Sequence, residues 1–235
     1  TLERLHEFAV SSKEKLVAPK LLNQDFTIQR SWFNFPTPLK TFLRFTDIYL
    51  LFYRLADSWF LRLISKFHTL AFLEKEIRIA TPISYASFAC ILIHADVFKQ
   101  IGQLDEELFF YHEDCEFGIR AVKNGHTICY FPGAELIHLG GTSSSGSSSL
   151  MAFENDVRGL LHVFKKHYKS RKLTQLQTAI SIALNCRIFF WRFGFYRYVK
   201  KIGLYDNIHQ AKSFANGGDA LKKYIELKKI VKEYE

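Results

Sequence analysis

The sequence predicts an α/β body followed by a helical appendage, and three observations support this prediction. Apolar residues make up 48% of the 235 residues, which is enough for a buried core. Segments typical of strands and of helices alternate in the first part of the chain, whereas only helical patterns follow. The charge changes too, from 15 basic against 18 acidic residues in 1–157 to 17 basic against 5 acidic in 158–235. We therefore expect a body over residues 1–150 and a basic, aromatic-rich helical appendage over 151–235.

The first elements of the body are short and joined by turns. Residues 1–10 are typical of the end of a helix. Residues 16–19 and 26–28 are typical of short strands around a turn at 23–25. Apolar residues at spacings of three, four and seven then predict a helical insertion over 39–67.

The later elements follow from apolar runs and from residues that end helices. The apolar run at 88–93 is short enough to predict a buried strand. A glycine or an Asn-Gly pair marks the ends of the next two helices. The remaining predicted elements are helices at 95–101 and about 112–124, strands at 126–131 and 135–138, and helices at about 150–169, 173–200 and 209–233.

The composition excludes two classes of protein. The four cysteines show no C-x-x-C spacing, which excludes a zinc knuckle or a disulfide framework and favours reduced thiols. No run of about 18 uncharged apolar residues occurs, so the sequence predicts no membrane-spanning helix.

The residues best suited to chemistry are concentrated between Leu104 and Arg120, in the segment L-D-E-E-L-F-F-Y-H-E-D-C-E-F-G-I-R. Acidic side chains at a helix N-terminus are stabilising by about 0.3–1 kcal/mol each. Glu116 and Arg120 are also spaced for an ion pair on one helix face. The residues alone leave two interpretations open. The acids either cap a structural helix, or they include a carboxylate that accepts a proton from a hydroxyl bound in an aromatic-walled pocket.

Three motifs occur in a fixed order along the chain: A-C-I-L-I-H at 89–94, F-x-x-I-G-x-L-D-E-x-L-F-F-Y-x-E-D-x-E-F-x-x-R at 98–120, and G-H-x-I-x-Y-F-P at 125–132 with Ile137-His138 after it. Together they resemble glycosyltransferase family 2. The order and the gaps are most similar to rhamnosyltransferase-type members of bacterial surface polysaccharide synthesis. The resemblance covers roughly residues 1–165.

The resemblance implies a partial GT-A fold, which is Rossmann-like, and inverting transfer of a sugar from a nucleotide-sugar donor. The acceptor would be a glycan or a lipid-linked sugar, and rhamnose is the sugar that the resemblance suggests. Members of the family use Mg²⁺ or Mn²⁺ held by an Asp-x-Asp motif in an N-terminal half, and no Asp-x-Asp occurs in this sequence. We therefore expect this chain to hold the acceptor half of an active site and to be inactive alone.

The resemblance also implies roles for individual residues. Asp114 corresponds to the general base for the acceptor hydroxyl. His138 corresponds to a histidine that helps to hold the divalent metal and the diphosphate of the donor, although the residues alone favour an ordinary histidine at a strand end. The loop at 140–149 contains only Gly, Ser and Thr, and it would close over the donor or serve as a linker. The implied substrate-binding residues are Glu113, Asp105, Glu106, Tyr111 and His112.

Two positions depart from the family pattern. Glu116-Phe117 stands where Asp-Leu is usual, which keeps the charge but adds bulk. Phe88 stands where a glycine usually precedes the apolar strand, so we expect a different space on the acceptor side.

The segment 178–201 interleaves arginines and lysines with seven aromatic residues. Such side chains favour the lipid headgroup region, so we expect an anionic membrane surface as a partner and a cytoplasmic, peripheral location on the inner face of the cell membrane. The alternative for these helices is packing within the protein. The alternative function is that of a non-catalytic basic adaptor for membrane or nucleic acid. We expect no nucleic acid partner, because no nucleic-acid-binding motif appears and the acidic segment would stay unexplained.

Overall fold

The computed structural model describes most of the chain, in two units. The described residues are 1–46, 77–108, 110–139, 149–193 and 217–234. An α/β unit comprises the described parts of 1–35 and 77–139, and a helical unit comprises those of 36–46, 149–193 and 217–234. In chain order the elements are α1 (Leu2–Ser12), β1 (Leu16–Leu22), β2 (Ile28–Gln29), β3 (Trp32–Phe33), α2 (Pro38–Phe45), β4 (Thr81–Ile83), β5 (Tyr85–Ala86), β6 (Leu92–Ile93), α3 (Ala95–Ile101), α4 (Glu113–Lys123), β7 (Ile128–Ile137), α5 (Ser149–His167), α6 (Ser170–Arg192) and α7 (Gly217–Glu233).

The main sheet of the α/β unit is built around β1. Strand β7 runs parallel to one edge of β1, and β4 pairs antiparallel with the far edge of β7. The other edge of β1 is shared by two antiparallel strands, with β6 beside its first residues and β2 beside its last. Strands β3 and β5 form a separate two-stranded sheet. The mixed sheet fits an α/β class, because parallel pairing needs a long crossover between the two strands.

Strand β7 contains a bulge opposite the middle of β1. Pro19 pairs with Phe131, but the next residue, Lys20, pairs with Glu135, so three residues of β7 are left without a partner on β1. A Cβ built on Gly133, inside the bulge, would lie 2.5 Å from the Phe131 ring. That ring stacks on Phe8 of α1 with the centroids 4.0 Å apart. The bulge therefore requires a residue without a side chain at position 133.

Both faces of the sheet are covered, which explains why β1 reads as a continuous apolar run. Leu16 and Ala18 belong to a cluster with Phe117 of α4 and Val97 of α3. Val17, which points to the opposite face, packs with residues of α1. The α/β unit thus has three layers, with α1 on one side of the sheet and α3 and α4 on the other.

The helical unit has its own core, made of residues from α2, α5, α6 and α7. Its members are Phe45, Val157, Leu160, Leu161, Phe164, Leu176, Ile180, Ala183, Leu184, Tyr224, Leu227 and Val231, all of them almost fully buried. Within the described ranges, none of the helices combines the length and the apolar content that a membrane crossing requires.

The predicted fold class, an α/β body with a helical appendage, is confirmed. The helix predicted at 95–101 has the predicted bounds, and the one predicted at about 112–124 spans Glu113–Lys123. Only the first part of the helix predicted over 39–67 can be compared, as α2, since residues 47–76 lie outside the described residues. The cysteines form no disulfide, as predicted.

Two predictions about strands are wrong. The run at 88–93 is not a buried strand, because only Leu92 and Ile93 pair with β1 and neither is fully buried. The strands predicted at 126–131 and 135–138 are one strand, β7, since β1 pairs with both halves across the bulge.

Candidate active site

Helix α4 carries the acidic segment and is held tightly against the α/β unit. The buried Phe117 ring contacts the Phe88 and Phe98 rings, each at 5.4 Å between centroids. Phe88, the departure from the family pattern, is therefore a packing residue of this helix. On the next position, a Cβ built on Gly118 would lie 2.5 Å from the Cβ of Tyr85. This close approach of α4 to β5 fixes the helix, and with it the direction of its first turn.

Arg120 ties the far end of α4 to the segment that precedes it. Its Nε donates to both carboxylate oxygens of Glu116, at 3.0 and 2.9 Å, and Glu116 is fully buried. The guanidinium also donates to three successive backbone carbonyls at the end of α3, those of residues 101–103. Glu116 and Arg120 thus form the structural ion pair that their spacing predicts, and in addition they anchor the start of the loop that leads to the acids.

Asp105 and Glu106 lie at the beginning of that loop. The Asp105 carboxylate accepts a hydrogen bond from the backbone N–H of Glu107 at 3.1 Å. The backbone carbonyl of Asp105 accepts one from the backbone N–H of Leu108, also at 3.1 Å. Asp105 therefore closes a turn around Glu106, whose side chain is exposed. A substrate-binding role for these two residues stays a prediction.

Tyr111 and His112 have an unusual backbone just before α4. Both have a positive φ, of 73° and 71°, although neither is a glycine. A left-handed conformation costs a residue with a Cβ roughly 1–2 kcal/mol. Such strain persists where the surrounding structure imposes it, which is common at functional sites. The Tyr111 ring, which packs edge-on against Phe110 at 4.6 Å, is exposed to more than a third of its surface.

Asp114 lies in the first turn of α4 and has a perturbed carboxyl group. Partial burial, reinforced by the neighbouring charge of Glu113, raises the pKa of Asp114 to about 6. Two contacts act in the opposite direction and keep the charged form accessible: the backbone N–H of Cys115 donates to Oδ1 at 2.7 Å, and His112 lies nearby. Asp114 can therefore exchange a proton near neutral pH, which an ordinary surface aspartate does not do.

Glu113 presents a second unusual carboxylate. Its Oε2 atom is buried and accepts no hydrogen bond from any residue that the structure describes. A buried charged oxygen without a donor is costly, so such an atom calls for an explanation.

His138 follows the last residue of β7 and lies beside β2. Its backbone N–H donates to the carbonyl of Leu22 at 2.9 Å, and its Nδ1 lies 2.7 Å from Oε1 of Gln29. The other ring nitrogen, Nε2, remains to serve a ligand. No cluster of three or more His, Cys, Asp or Glu side chains suited to a metal ion occurs among the described residues.

Sequence reasoning missed Gln29 and the wider role of Arg120. Gln29 lies 109 residues from His138 along the chain, and no local pattern connects the two. The carbonyls that Arg120 holds belong to backbone, which leaves no mark on the sequence. The predicted closing loop at 140–149 cannot be assessed, because residues 140–148 lie outside the described residues.

Comparison with known proteins supports the resemblance. Residues 62–158 match the family described as "Glycosyltransferase like family 2". An N-acetylglucosaminyl-diphospho-decaprenol L-rhamnosyltransferase of Mycobacterium tuberculosis is 39% identical over 57 residues, which are 24% of this chain and 19% of that protein. A low-salt glycan biosynthesis hexosyltransferase of Haloferax volcanii is 37% identical over 57 residues, with the same shares of the two chains. The matches thus cover about a fifth of the length of these relatives.

Proposed function

We propose that the protein is an inverting glycosyltransferase and that this chain forms the acceptor side of its active site, because residues 62–158 match the model of glycosyltransferase-like family 2. The donor is a nucleotide sugar, and the acceptor is a glycan or a lipid-linked sugar. The observation that carries the proposal is the carboxyl group of Asp114, which lies inside the matched segment and has a pKa of about 6.

Asp114 acts as the general base. At pH 7 a carboxyl group with this pKa is mostly ionised, and it is a stronger base than an ordinary aspartate. It takes the proton of the acceptor hydroxyl while the oxygen attacks the anomeric carbon and the bond to the nucleotide diphosphate breaks. Inversion requires one base on the side opposite the leaving group. The rigid attachment of α4 holds the carboxylate in place for this step.

Glu113 and the strained turn complete the acceptor side. Glu113, whose charge acts on Asp114, shapes the acceptor side next to the base. The left-handed pair Tyr111 and His112 sets the direction in which the first turn of α4 presents the two carboxylates. The exposed ring of Tyr111 offers an apolar surface to the acceptor.

His138 fits the role of one metal ligand. A divalent metal, Mg²⁺ or Mn²⁺, would neutralise the charge that develops on the leaving diphosphate. The His138 ring has one nitrogen engaged by Gln29 and one left for a ligand, which is the arrangement usual for a metal-binding histidine.

The relatives suggest the substrates to test first. One is a rhamnosyltransferase whose named acceptor is an N-acetylglucosaminyl-diphospho-decaprenol, and another is a hexosyltransferase of glycan synthesis. We take a nucleotide-activated rhamnose as donor and a polyprenyl-diphosphate-linked N-acetylglucosamine as acceptor, in a pathway of surface polysaccharide synthesis.

A lipid-linked acceptor calls for a location at the membrane surface, on its cytoplasmic face. Only some of the aromatic side chains at the end of helix α6 are exposed and support this location. Phe189 and Phe193 are 56% and 73% exposed with ring centroids 4.4 Å apart, and Arg192 beside them is exposed. Phe190 is buried in the helical unit, so for that residue helix packing is the correct interpretation. Flotation with vesicles of anionic lipid tests membrane binding, and Phe189→Ser should weaken it. Absence of binding by the unaltered chain would contradict the proposed location.

Replacement of the proposed base tests the proposal. Asp114→Asn in the protein that carries this chain should lower turnover by about 10²–10⁴-fold, because general base catalysis contributes that much. The affinity for the nucleotide-sugar donor should stay nearly the same. Asp96→Asn is the matched control, since its carboxylate lies at the surface of α3 and pairs with Lys99.

The outcomes separate the proposed function from its alternatives. Unchanged turnover in Asp114→Asn would remove Asp114 from the mechanism. Absence of any sugar transfer, combined with salt-dependent binding of an oligonucleotide that Asp114→Ala leaves unaffected, would favour the non-catalytic adaptor instead.

A further inference from the structure

A chain of hydrogen bonds links His138 to the turn between β1 and β2. His138 Nδ1 lies 2.7 Å from Gln29 Oε1, and Gln29 Nε2 donates to Asn23 Oδ1 at 3.2 Å. Asn23 Nδ2 donates to Thr27 Oγ1 at 2.9 Å, and Thr27 Oγ1 donates to Asp25 Oδ1 at 2.6 Å. Three side chains, those of Gln29, Asn23 and Thr27, thus connect the ring to the Asp25 carboxylate in the turn.

The Asp25 carboxylate fixes the donor and the acceptor in each of these hydrogen bonds. An ionised aspartate only accepts hydrogen bonds, so the Thr27 hydroxyl must donate to it. The Thr27 oxygen then accepts from the Asn23 amide nitrogen, which turns the Asn23 oxygen towards Gln29. The Asp25 carboxylate stays ionised, because the hydrogen bonds from the Thr27 hydroxyl and backbone N–H lower the pKa of Asp25.

The same order fixes the last link. The Gln29 nitrogen donates to Asn23, so its oxygen faces the ring, and an amide oxygen can only accept. We infer that Gln29 is a positioning residue that holds neutral His138 as the Nδ1–H tautomer, so that Nε2 presents a lone pair. Resting on the proposed function, this inference names Nε2 as the atom that binds the divalent metal.

The tautomer decides what His138 can bind. A nitrogen with a lone pair coordinates a metal ion or accepts a hydrogen bond, whereas it does not donate to a phosphate oxygen. Metal-binding histidines commonly donate the other ring N–H to an oxygen acceptor, and loss of that acceptor typically lowers metal affinity 10–100-fold. The inference therefore assigns His138 to the metal and not to direct contact with the diphosphate.

Nitrogen NMR of the isotope-labelled chain reads the tautomer directly. A long-range ¹H–¹⁵N spectrum at about pH 8, where an ordinary histidine is neutral, distinguishes a protonated ring nitrogen from an unprotonated one. His138→Asn identifies the His138 signals among those of the nine histidines. We expect a protonated Nδ1 and an unprotonated Nε2 in the unaltered chain. The opposite assignment would overturn the inference without any need for a variant.

Three variants then test the role of Gln29. Gln29→Leu removes the acceptor, so the His138 proton should divide between the two nitrogens. Gln29→Glu keeps an oxygen acceptor and should keep the Nδ1–H tautomer, while Gln100→Leu removes an exposed glutamine of α3 and should change nothing. Unaltered His138 signals in a folded Gln29→Leu chain would contradict the inference. If that variant does not fold, loss of the Nδ1–H tautomer in Gln29→Glu would contradict it equally.

Addition of Mn²⁺ with inorganic pyrophosphate to the protein that carries this chain separates this inference from the proposed function. Paramagnetic broadening of Nε2, with an apparent Mn²⁺ affinity 10–100-fold weaker in Gln29→Leu, supports both. No broadening, with the Nδ1–H tautomer intact, contradicts the proposed metal role of His138, while the positioning of the ring by Gln29 stands on the tautomer itself.

Discussion

Two sites of this protein, one in each unit, accommodate buried charge differently. In the helical unit, Arg187 is buried and well accommodated: Nε donates to the carbonyl of Phe45 at 2.6 Å, Nη1 donates to the Tyr224 hydroxyl at 3.2 Å, and the guanidinium lies 4.5 Å from the centre of the Phe153 ring. In the α/β unit, the turn before α4 is strained, Glu113 Oε2 is buried without a donor among the described residues, and the pKa of Asp114 is raised.

The difference distinguishes a structural charge from one available for chemistry. A buried polar group with all its partners in place stabilises one conformation, and its removal is costly. A buried carboxylate with incomplete partners lowers stability and has capacity for a ligand or a proton. The comparison therefore predicts opposite responses to mutation at Arg187 and at Asp114.

The largest effect should come from Arg187→Leu. The loss of a hydrogen-bonded buried charge that lies against aromatic rings should lower the free energy of unfolding of the helical unit by about 3 kcal/mol. Arg187→Lys should restore little of it, because an ammonium group cannot reproduce the planar geometry. Urea denaturation followed by hydrogen exchange of α6 amides measures this. Arg192→Leu, at an exposed position of the same helix, should stay within about 0.5 kcal/mol.

A smaller effect of opposite sign is expected for Asp114→Asn. The pKa of Asp114 is about 6 in the folded state against an ordinary 3.8, so the folded state binds this proton more tightly. The contribution of Asp114 to the free energy of unfolding is therefore most favourable below about pH 4 and is lost as the pH rises through 6. Asp114→Asn should raise the free energy of unfolding by on the order of 2 kcal/mol at about pH 7.5 and leave it unchanged at about pH 4. Urea titrations at both values measure it, and destabilisation at the higher pH would contradict the comparison.

The smallest effect concerns the strained turn. His112→Gly relieves the left-handed strain but adds freedom to the unfolded chain, so a net gain of roughly 0.5 kcal/mol is expected. Thr127→Gly, at an exposed position outside the left-handed region, should lower stability by a similar amount. Thermal unfolding of the two variants side by side tests the sign, and a loss of stability in both would mean that the turn is not strained.

The sequence was sufficient where local residues determine structure. Helix α3 ends at Gly102, whose φ is 84°, and α4 ends beside Gly125, whose φ is 80°, so residues tolerant of positive φ marked both ends correctly. Pairing between distant strands was harder to predict. Pro132-Gly133 resembles a turn between two strands, but β1 pairs with both sides of it. The apolar run at 88–93 looked like a full strand, but β1 offers partners to only two of its residues.

In the candidate site, too, the features set by neighbouring residues could be predicted and those set by distant contacts could not. The acidic segment could be found because its residues are adjacent in sequence and match a family motif. The raised pKa of Asp114 could not, since it depends on burial that packing creates. Nor could the contact of Gln29 with His138, which exists only because both β2 and β7 pair with β1.

The irregularity in the middle of β7 has a consequence for where that strand delivers its last residues. The offset between paired residues of β1 and β7 grows by three at that point, which is about 10 Å of extended chain. If these three residues paired with β1 instead of looping out, His138 would lie beyond the end of β1 by that distance and away from Gln29. The irregularity therefore sets where the strand ends, and replacing it with a regular strand of the same length would move the ring without any change to the ring itself.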